Sequence, residues 1–410
     1  MSEISSRLVA ALGLLVMVAL AWLCSTDRSR FPLRVVVWGL GLQLLLGILL
    51  LRTGVGRGFF VAMNSGVAGL LGFARDGARF VFGPLLDLGP SFALVVLPVI
   101  VFMGALFSVL YHLGLVQRLV TALARGLSRT LGISGAESLA AVANVFVGMA
   151  EAPLLIRPYL ERMTRSELFT VMNTGMATVA GSVLLAYVEM LGGGDFAGHL
   201  VTASLLSAPA GILIAKVIVP ETQTPETTSG AGGMVGVESV NVIDAASMGA
   251  LAGLRIAAYV GALLVAFVAL IALLNAGVGA TGSLFGAPEL TIERILGVML
   301  APLAWLMGIP WSDATQVGSL LGVKTVLNEF IAYADLGTLL RSGAIAERSG
   351  VIASYALCGF ANFGSLAILL GAIGSMAPSR RGDVARLGLR SILGGTLATL
   401  MTGCLAGMLL

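Results

Sequence analysis

Between Ala141 and Tyr159 the chain reads AVANVFVGMAEAPLLIRPY, an apolar run that holds one carboxylate, Glu151, among Gly148, Pro153 and Pro158. A helix crossing a bilayer cannot keep this stretch intact, because each proline removes a backbone donor and Gly148 loosens the turn before them. The chain is therefore expected to turn back here. An ionised carboxylate at membrane depth is costly unless it faces water, a cation or a polar ligand, so Glu151 marks a functional site. A second stretch, LLGVKTVLNEFIAY, repeats the arrangement: Asn328 and Glu329 follow a Gly-containing apolar run that starts beyond Pro310.

That reading requires a membrane, and the composition supplies one. Of 410 residues 58% are hydrophobic and only 11% charged, against about 25% charged in a soluble globule. The chain reads as an all-α polytopic membrane protein. Its 54 glycines suit close helix approach in a bilayer. A net charge of +3 without a basic tract gives no sign of nucleic-acid binding. Cys24, Cys358 and Cys404 have neither disulfide nor zinc spacing, and His112 and His199 are too isolated to argue for metal or catalysis. All five read as structural.

Eight spans are expected. Leu8–Cys24 reads as a first span rather than a cleaved leader, since Trp22-Leu23 before Cys24 lacks a small-residue cleavage pattern. Leu33–Leu51 follows, and Arg28, Arg30 and Arg34 place the intervening loop on the cytoplasmic side. Gly56–Phe82, dotted with charges, suits an interfacial helix. Ser91–Leu115 is the third span. Leu115, Leu119, Leu123, Leu127 and Leu131 then form one apolar stripe of an amphipathic helix whose arginines are cytoplasmic. A first hairpin, 134–160, precedes a fourth span, 168–191, and a fifth, 200–219. The Thr/Ser/Gly-rich stretch 220–246 reads as a linker. The sixth span is 256–274, an interfacial or partly inserted helix covers 290–307, and a second hairpin covers 311–336. Val351–Met376 is the seventh span, SRRGDVAR (379–386) a basic cytoplasmic loop, and 389–410 the eighth span.

An internal repeat links the halves. Leu131-Gly132-Ile133 and Met307-Gly308-Ile309 precede the two hairpins, and GMATV (175–179) and GFANF (359–363) follow them, where a helix is expected to break. The arginine placement has the hairpins enter from opposite sides, which makes the repeat inverted, as in secondary transporters that bind at the midplane between broken helices. The expected division is 1–90 as N-terminal scaffold, 91–219 as the first repeat, 220–246 as linker and 247–410 as the second repeat.

From about Gly83 to Gly403 the chain resembles the bacterial concentrative nucleoside transporters, sodium-coupled type, in AVANVFVG..EAPLLIRPY, MTRSELFTVM, MATVAGSVLLAY, PWSDATQVGSLLGVKTVLNEF, CGFANFGSLAILLG and MAPSRRGDVARLGLR. The first 80 residues match only in hydropathy. The resemblance implies eight spans, two re-entrant hairpins and interfacial helices. It also implies an inner-membrane homotrimer whose protomers import nucleosides independently by alternating access.

For the site, the resemblance implies that Glu329, with Asn328, Asn362 and Ser365, holds the ribose hydroxyls, that Phe360 packs beside the ligand, and that Glu151 and Val183 lie beside the base. It assigns Asn144, Val147, Thr178 and Val179 to a sodium ion. Lys324 is expected to be a charge partner inside the second hairpin. The chain departs from the family at Met149-Ala150, where a Gln-Thr pair usually precedes the Glu, so base recognition is expected to be altered. Four alternatives compete: the same fold carrying another small polar solute, a proton-coupled nucleoside transporter, a passive channel, which would need no coupling-ion site, and an intramembrane enzyme using Glu151 and Glu329 as acid and base. The sequence offers no nucleophile or metal set for the enzyme. No organic cofactor is expected; sodium is the coupling ion.

Overall fold

The computed structural model describes residues 3–88, 92–227, 239–284, 286–287 and 289–410. Two N-terminal apolar helices, Glu3–Leu23 (α1) and Leu33–Arg52 (α2), lead into a continuous 29-residue helix, Gly54–Phe82 (α3). Ser91, the expected start of the third span, and 228–238, the middle of the expected linker, lie outside the described residues. Among the described residues there is no strand.

The remaining helices run through one order twice. The first pass is Leu97–His112 (α4), Leu115–Leu131 (α5), the hairpin Gly135–Phe146 (α6) with Arg157–Leu160 (α7), the broken span Arg165–Ala177 (α8) with Gly181–Met190 (α9), and Ala197–Ile218 (α10). The second is Val242–Ser283 (α11), Ile292–Leu306 (α12), the hairpin Trp311–Val326 (α13) with Glu329–Arg341 (α14), the broken span Glu347–Leu357 (α15) with Phe363–Met376 (α16), and Arg381–Leu409 (α17). The matched tripeptides occupy equivalent corners. Gly132 (φ +70°) and Gly308 (φ +83°) each follow the end of an interfacial-type helix in the left-handed conformation that glycine adopts most readily.

Among the described residues seven segments are long and apolar enough to cross a bilayer by length and composition, or eight if the bent pair α12 and α13 forms one span. The expected seventh span is divided at 358–362, and its apolar half, Phe363–Met376, is too short to cross alone. Helices α12 and α13 meet at 116°, so α12 turns sharply into the second hairpin.

Local chemistry explains the hairpins. Ser134 caps α6 by accepting from the Glu137 N–H, and Thr164 with Glu167 forms a reciprocal capping box at the start of α8. Lys216 of α10 is buried and donates to the Glu137 carboxylate and to Ser166 Oγ, tying the first hairpin to both neighbouring helices. At the hairpin tip Gly148 takes φ +100°, a backbone position that side-chain-bearing residues rarely adopt.

Four expectations change. The expected sixth span, 256–274, lies inside a longer helix, the 42-residue α11, about 63 Å long at 1.5 Å per residue. Its earlier turns, which fall mostly between the expected linker (220–246) and the expected span, are the packing surface: a Cβ on Gly104 of α4 would meet the Gly249 carbonyl and the Gly253 Cα at 2.6 and 3.0 Å. The stripe of α5 that packs inward is Val116, Val120, Ala124, Leu127 and Leu131, while Leu115, Leu119 and Leu123 are exposed. Smaller side chains let α5 approach its neighbours, and the longer leucines point outward. The basic stretch 379–386 is mostly the first turns of α17; Arg380 clamps the exit of the first hairpin by donating to the carbonyls of Glu161 (3.2 Å) and Met163 (2.6 Å). Finally, the second hairpin runs on to Arg341, five residues past its expected end.

Candidate functional site

Both hairpin tips and both helix breaks converge on one cavity, with about 160 Å³ of space for the centre of a water-sized molecule. Val147–Glu151 come from the first tip and Leu327–Phe330 from the second. Ala180, Ser182 and Val183 come from the first broken helix; Phe360, Asn362, Gly364, Ser365 and Ile368 come from the second. Helix α11 closes the side with Ile256, Tyr259, Val260 and Leu263.

Two helix starts aim at this space, and the same residue type begins each. The Asn328 side chain caps α14 by accepting from the Ile331 N–H at 3.0 Å, and the Asn362 side chain caps α16 by accepting from the Ser365 N–H at 2.8 Å. Both asparagine oxygens are thus committed to backbone. The Asn362 amide nitrogen is free to turn outward, and it donates to Glu329 Oε2 at 2.8 Å. Tyr187 Oη donates to Glu329 Oε1 at 2.9 Å. Glu329 is the first residue of α14, where the positive end of the helix dipole favours a carboxylate. Tyr187 is itself held by stacking on Tyr333, at 4.5 Å between ring centroids.

All nine residues expected to contact a ligand line the cavity: Met149, Ala150, Glu151, Val183, Asn328, Glu329, Phe360, Asn362 and Ser365. Glu151 faces the open space and hydrogen-bonds to no other side chain among the described residues. Met149 is largely buried, its Cβ against Gly175 of α8, so it shapes the wall more than it offers a surface.

The four residues expected around an ion lie at the first break. Val147 also lines the cavity, and Asn144, Thr178 and Val179 are buried behind it. Asn144 Nδ2 is 3.5 Å from Thr174 Oγ1, while its Oδ1 is buried with no donor. Thr178 breaks from helical to extended backbone, and its hydroxyl donates to the Thr174 carbonyl at 3.0 Å. The Val179 carbonyl accepts from Ser204 at 3.3 Å. Asn144 Oδ1, buried and without a donor, is the kind of oxygen a hard monovalent cation takes as a ligand.

Lys324 is close enough to Glu329 of its own hairpin for the two charges to attract, as expected. Its ammonium also reaches beyond the hairpin, donating to the Ala356 carbonyl of α15 (2.8 Å) and to Thr399 Oγ1 of α17 (2.9 Å). Tyr187, Ser182 and the α11 wall were not singled out from the sequence. Tyr187 follows Val183 by four residues, so helical spacing alone places it on the same face. His112 and His199 bond to Ser239 and Tyr355, in keeping with structural roles. Among the described residues no group of three or more His, Cys, Asp or Glu is placed to hold a metal.

Comparison with known proteins covers almost the whole chain. Three family models match in series: the Na+ dependent nucleoside transporter N-terminus over residues 12–85, a nucleoside-recognition gate over 93–194, and the Na+ dependent nucleoside transporter C-terminus over 199–407. The chain is 47% identical to the uncharacterized transporter YutK of Bacillus subtilis over 97% of its own length and 98% of that protein. It is 39% identical to the nucleoside permease NupC of Helicobacter pylori, over 99% and 98% of the two chains. The solved structure of CNTnw in an inward-facing substrate-bound state superposes with a TM-score of 0.93 at 43% identity, covering 98% of each chain.

Proposed function

Because this chain belongs to the Na+ dependent nucleoside transporter family, a family of multi-pass membrane transporters and not of enzymes, we propose that it imports nucleosides across the inner membrane, each coupled to sodium. The observation that carries this reading is the Glu329 carboxylate, held at the cavity wall by Tyr187 and Asn362. A carboxylate has about four lone-pair sites, and these two donors occupy two of them. The remainder point to a ligand with adjacent hydroxyls, and ribose supplies such a pair. Asn328 and Ser365 complete the sugar side.

On the base side we place Met149, Ala150, Glu151, Val183 and Phe360. Glu151, Ser182 and the Tyr259 hydroxyl are the polar side-chain groups there, in a wall otherwise formed by residues such as Val183, Val260 and Leu263. Strong rejection of a wrong base requires buried polar groups that it leaves unpaired. With few such groups, this site accepts bases on shape more than on hydrogen bonding. The same apolar wall supports a second reading, in which the fold is kept and a different small polar solute is carried.

Sodium is assigned to Asn144, Val147, Thr178 and Val179, supported by the buried Asn144 Oδ1 that lacks a donor. In this reading the hairpins and broken helices move together as the transporting part, and three protomers assemble in the bilayer. Uptake of labelled uridine and adenosine into proteoliposomes tests the proposal. Accumulation under an inward sodium gradient, and none when potassium or a proton gradient replaces it, is the expected result. Proton-driven accumulation contradicts the sodium assignment, and no uptake of either nucleoside by folded protein moves the case to the second reading.

A further inference from the structure

The two helix breaks differ in how their buried oxygen atoms are served. At the second break, all four terminal carbonyls of α15, which lack intrahelical donors, are taken. Ser354 accepts from Tyr333 Oη (2.8 Å), Tyr355 from the Cys358 N–H (3.2 Å), Ala356 from Lys324 Nζ (2.8 Å) and Leu357 from the Gly359 N–H (2.8 Å). At the first break, the Thr174 carbonyl is taken by Thr178. Among the described residues no donor serves the carbonyls of Gly175, Met176 and Ala177, and Asn144 Oδ1 is likewise unserved.

Asn144 and Lys324 hold the same place in the two repeats. Each stands two residues before the end of its hairpin's first helix, Phe146 or Val326, and each is buried beside the break of the broken span that follows. Where the first repeat presents a neutral oxygen and free carbonyls, the second presents an ammonium whose carbonyl is already engaged. The ammonium also lies at the negative end of α15.

We propose that Lys324 is a tethered cation: its ammonium permanently fills, in the second repeat, the counterpart of the exchangeable ion site in the first. The consequence is a transport cycle that needs one free cation at this pair of sites. Removing the ammonium creates a demand for another. The stoichiometric part of this inference rests on the sodium site read at Asn144; the role of Lys324 at the second break does not.

The test compares wild type with Lys324→Ala, which opens space at the second break, and Lys324→Gln, which keeps bulk and one donor but loses the charge. Uridine uptake into proteoliposomes is measured against sodium concentration, with and without ethylammonium. Wild type is expected to show a sodium Hill coefficient of about 1 and no response to the amine; the Gln variant is expected to rise toward about 2, the ceiling for two sites. Lys324→Ala is expected to lose uptake by at least about tenfold, the scale of one bond to a charged group, and to recover it with ethylammonium. Unchanged sodium activation in Lys324→Gln overturns the proposal, as does a folded Lys324→Ala that no ammonium ion restores. Should Lys324→Ala fail to fold, Lys324→Gln decides alone. Wild-type uptake indifferent to sodium would defeat the coupling assignment separately, and the amine arm would still report on Lys324.

Discussion

Tyr187 Oη lies 2.9 Å from Glu329 Oε1, a buried bond that joins the first broken span to the tip of the second hairpin across 142 positions of sequence. It fixes one carboxylate oxygen while the Asn362 amide fixes the other. The site is therefore oriented before any ligand arrives, and a preorganised carboxylate loses less freedom on binding.

Removing the charge of Glu329 is the severest change expected at the cavity. Glu329→Gln deletes two charge-assisted acceptors worth about 1.5–3 kcal/mol each, so nucleoside binding to purified protein is predicted to weaken by at least about 100-fold. Calorimetry or equilibrium dialysis measures it, and near-normal affinity would end the sugar-site assignment.

Tyr187→Phe keeps the ring stack on Tyr333 and deletes only the donor to Glu329. Losing a single neutral-to-charged bond, worth about 1.5–3 kcal/mol, predicts weaker nucleoside affinity by up to about 10- to 150-fold with the fold intact. Unchanged affinity, in protein with an unchanged melting temperature, would show that Tyr187 does not position the carboxylate.

Asn144→Ala removes the unserved side-chain oxygen at the first break. The sodium concentration for half-maximal uptake is predicted to rise by about tenfold, on the scale of one contact to a charge. Nucleoside affinity at saturating sodium should change less. A shift in nucleoside affinity alone would remove Asn144 from the ion site.

The double change Met149→Gln with Ala150→Thr puts an amide and a hydroxyl on a wall that has few polar groups. Competition between uridine and adenosine is predicted to become more one-sided by about tenfold or more, because new buried donors penalise the base that leaves them unpaired. An unchanged ratio would show that these two positions do not face the base.

Gly104→Leu tests the α4 and α11 seam. Its side chain would meet the backbone of Gly249 and Gly253, so the helices must separate. Overpacking of this kind costs about 1–3 kcal/mol, and a lower melting temperature of the purified protein is expected. An unaltered melt would mean that the seam yields without loss.

Polar residues in apolar surroundings were the legible part of the site. Glu151, Asn328 and Glu329 stand out because a bilayer penalises them, Asn362 was implied by the resemblance to the nucleoside transporters, and the structure gathers all four around one cavity. Tyr187 did not stand out, since a tyrosine in an apolar helix carries no mark until its hydroxyl is seen to meet Glu329. The partners of Lys324 were hidden for a related reason: a backbone carbonyl of α15 and a threonine of α17 leave no charge pattern in sequence. Helix boundaries failed where small residues carry packing. Gly249 and Gly253 fell between the expected linker and the expected sixth span, yet it is their smallness that lets α11 lie against α4. On α5 the eye-catching leucines at 115, 119 and 123 proved exposed, with Val116, Val120 and Ala124 turned inward.

The most direct test of the account is equilibrium binding to the purified, detergent-solubilised protein of three ligands, uridine, 2′,3′-dideoxyuridine and uracil, each with and without sodium. The account predicts that uridine binds in sodium and much less without it, and that both ligands lacking the ribose hydroxyl pair bind weakly under either condition. Equal binding of uridine and its dideoxy analogue would contradict it, because Glu329 and Asn362 would then not be holding the sugar.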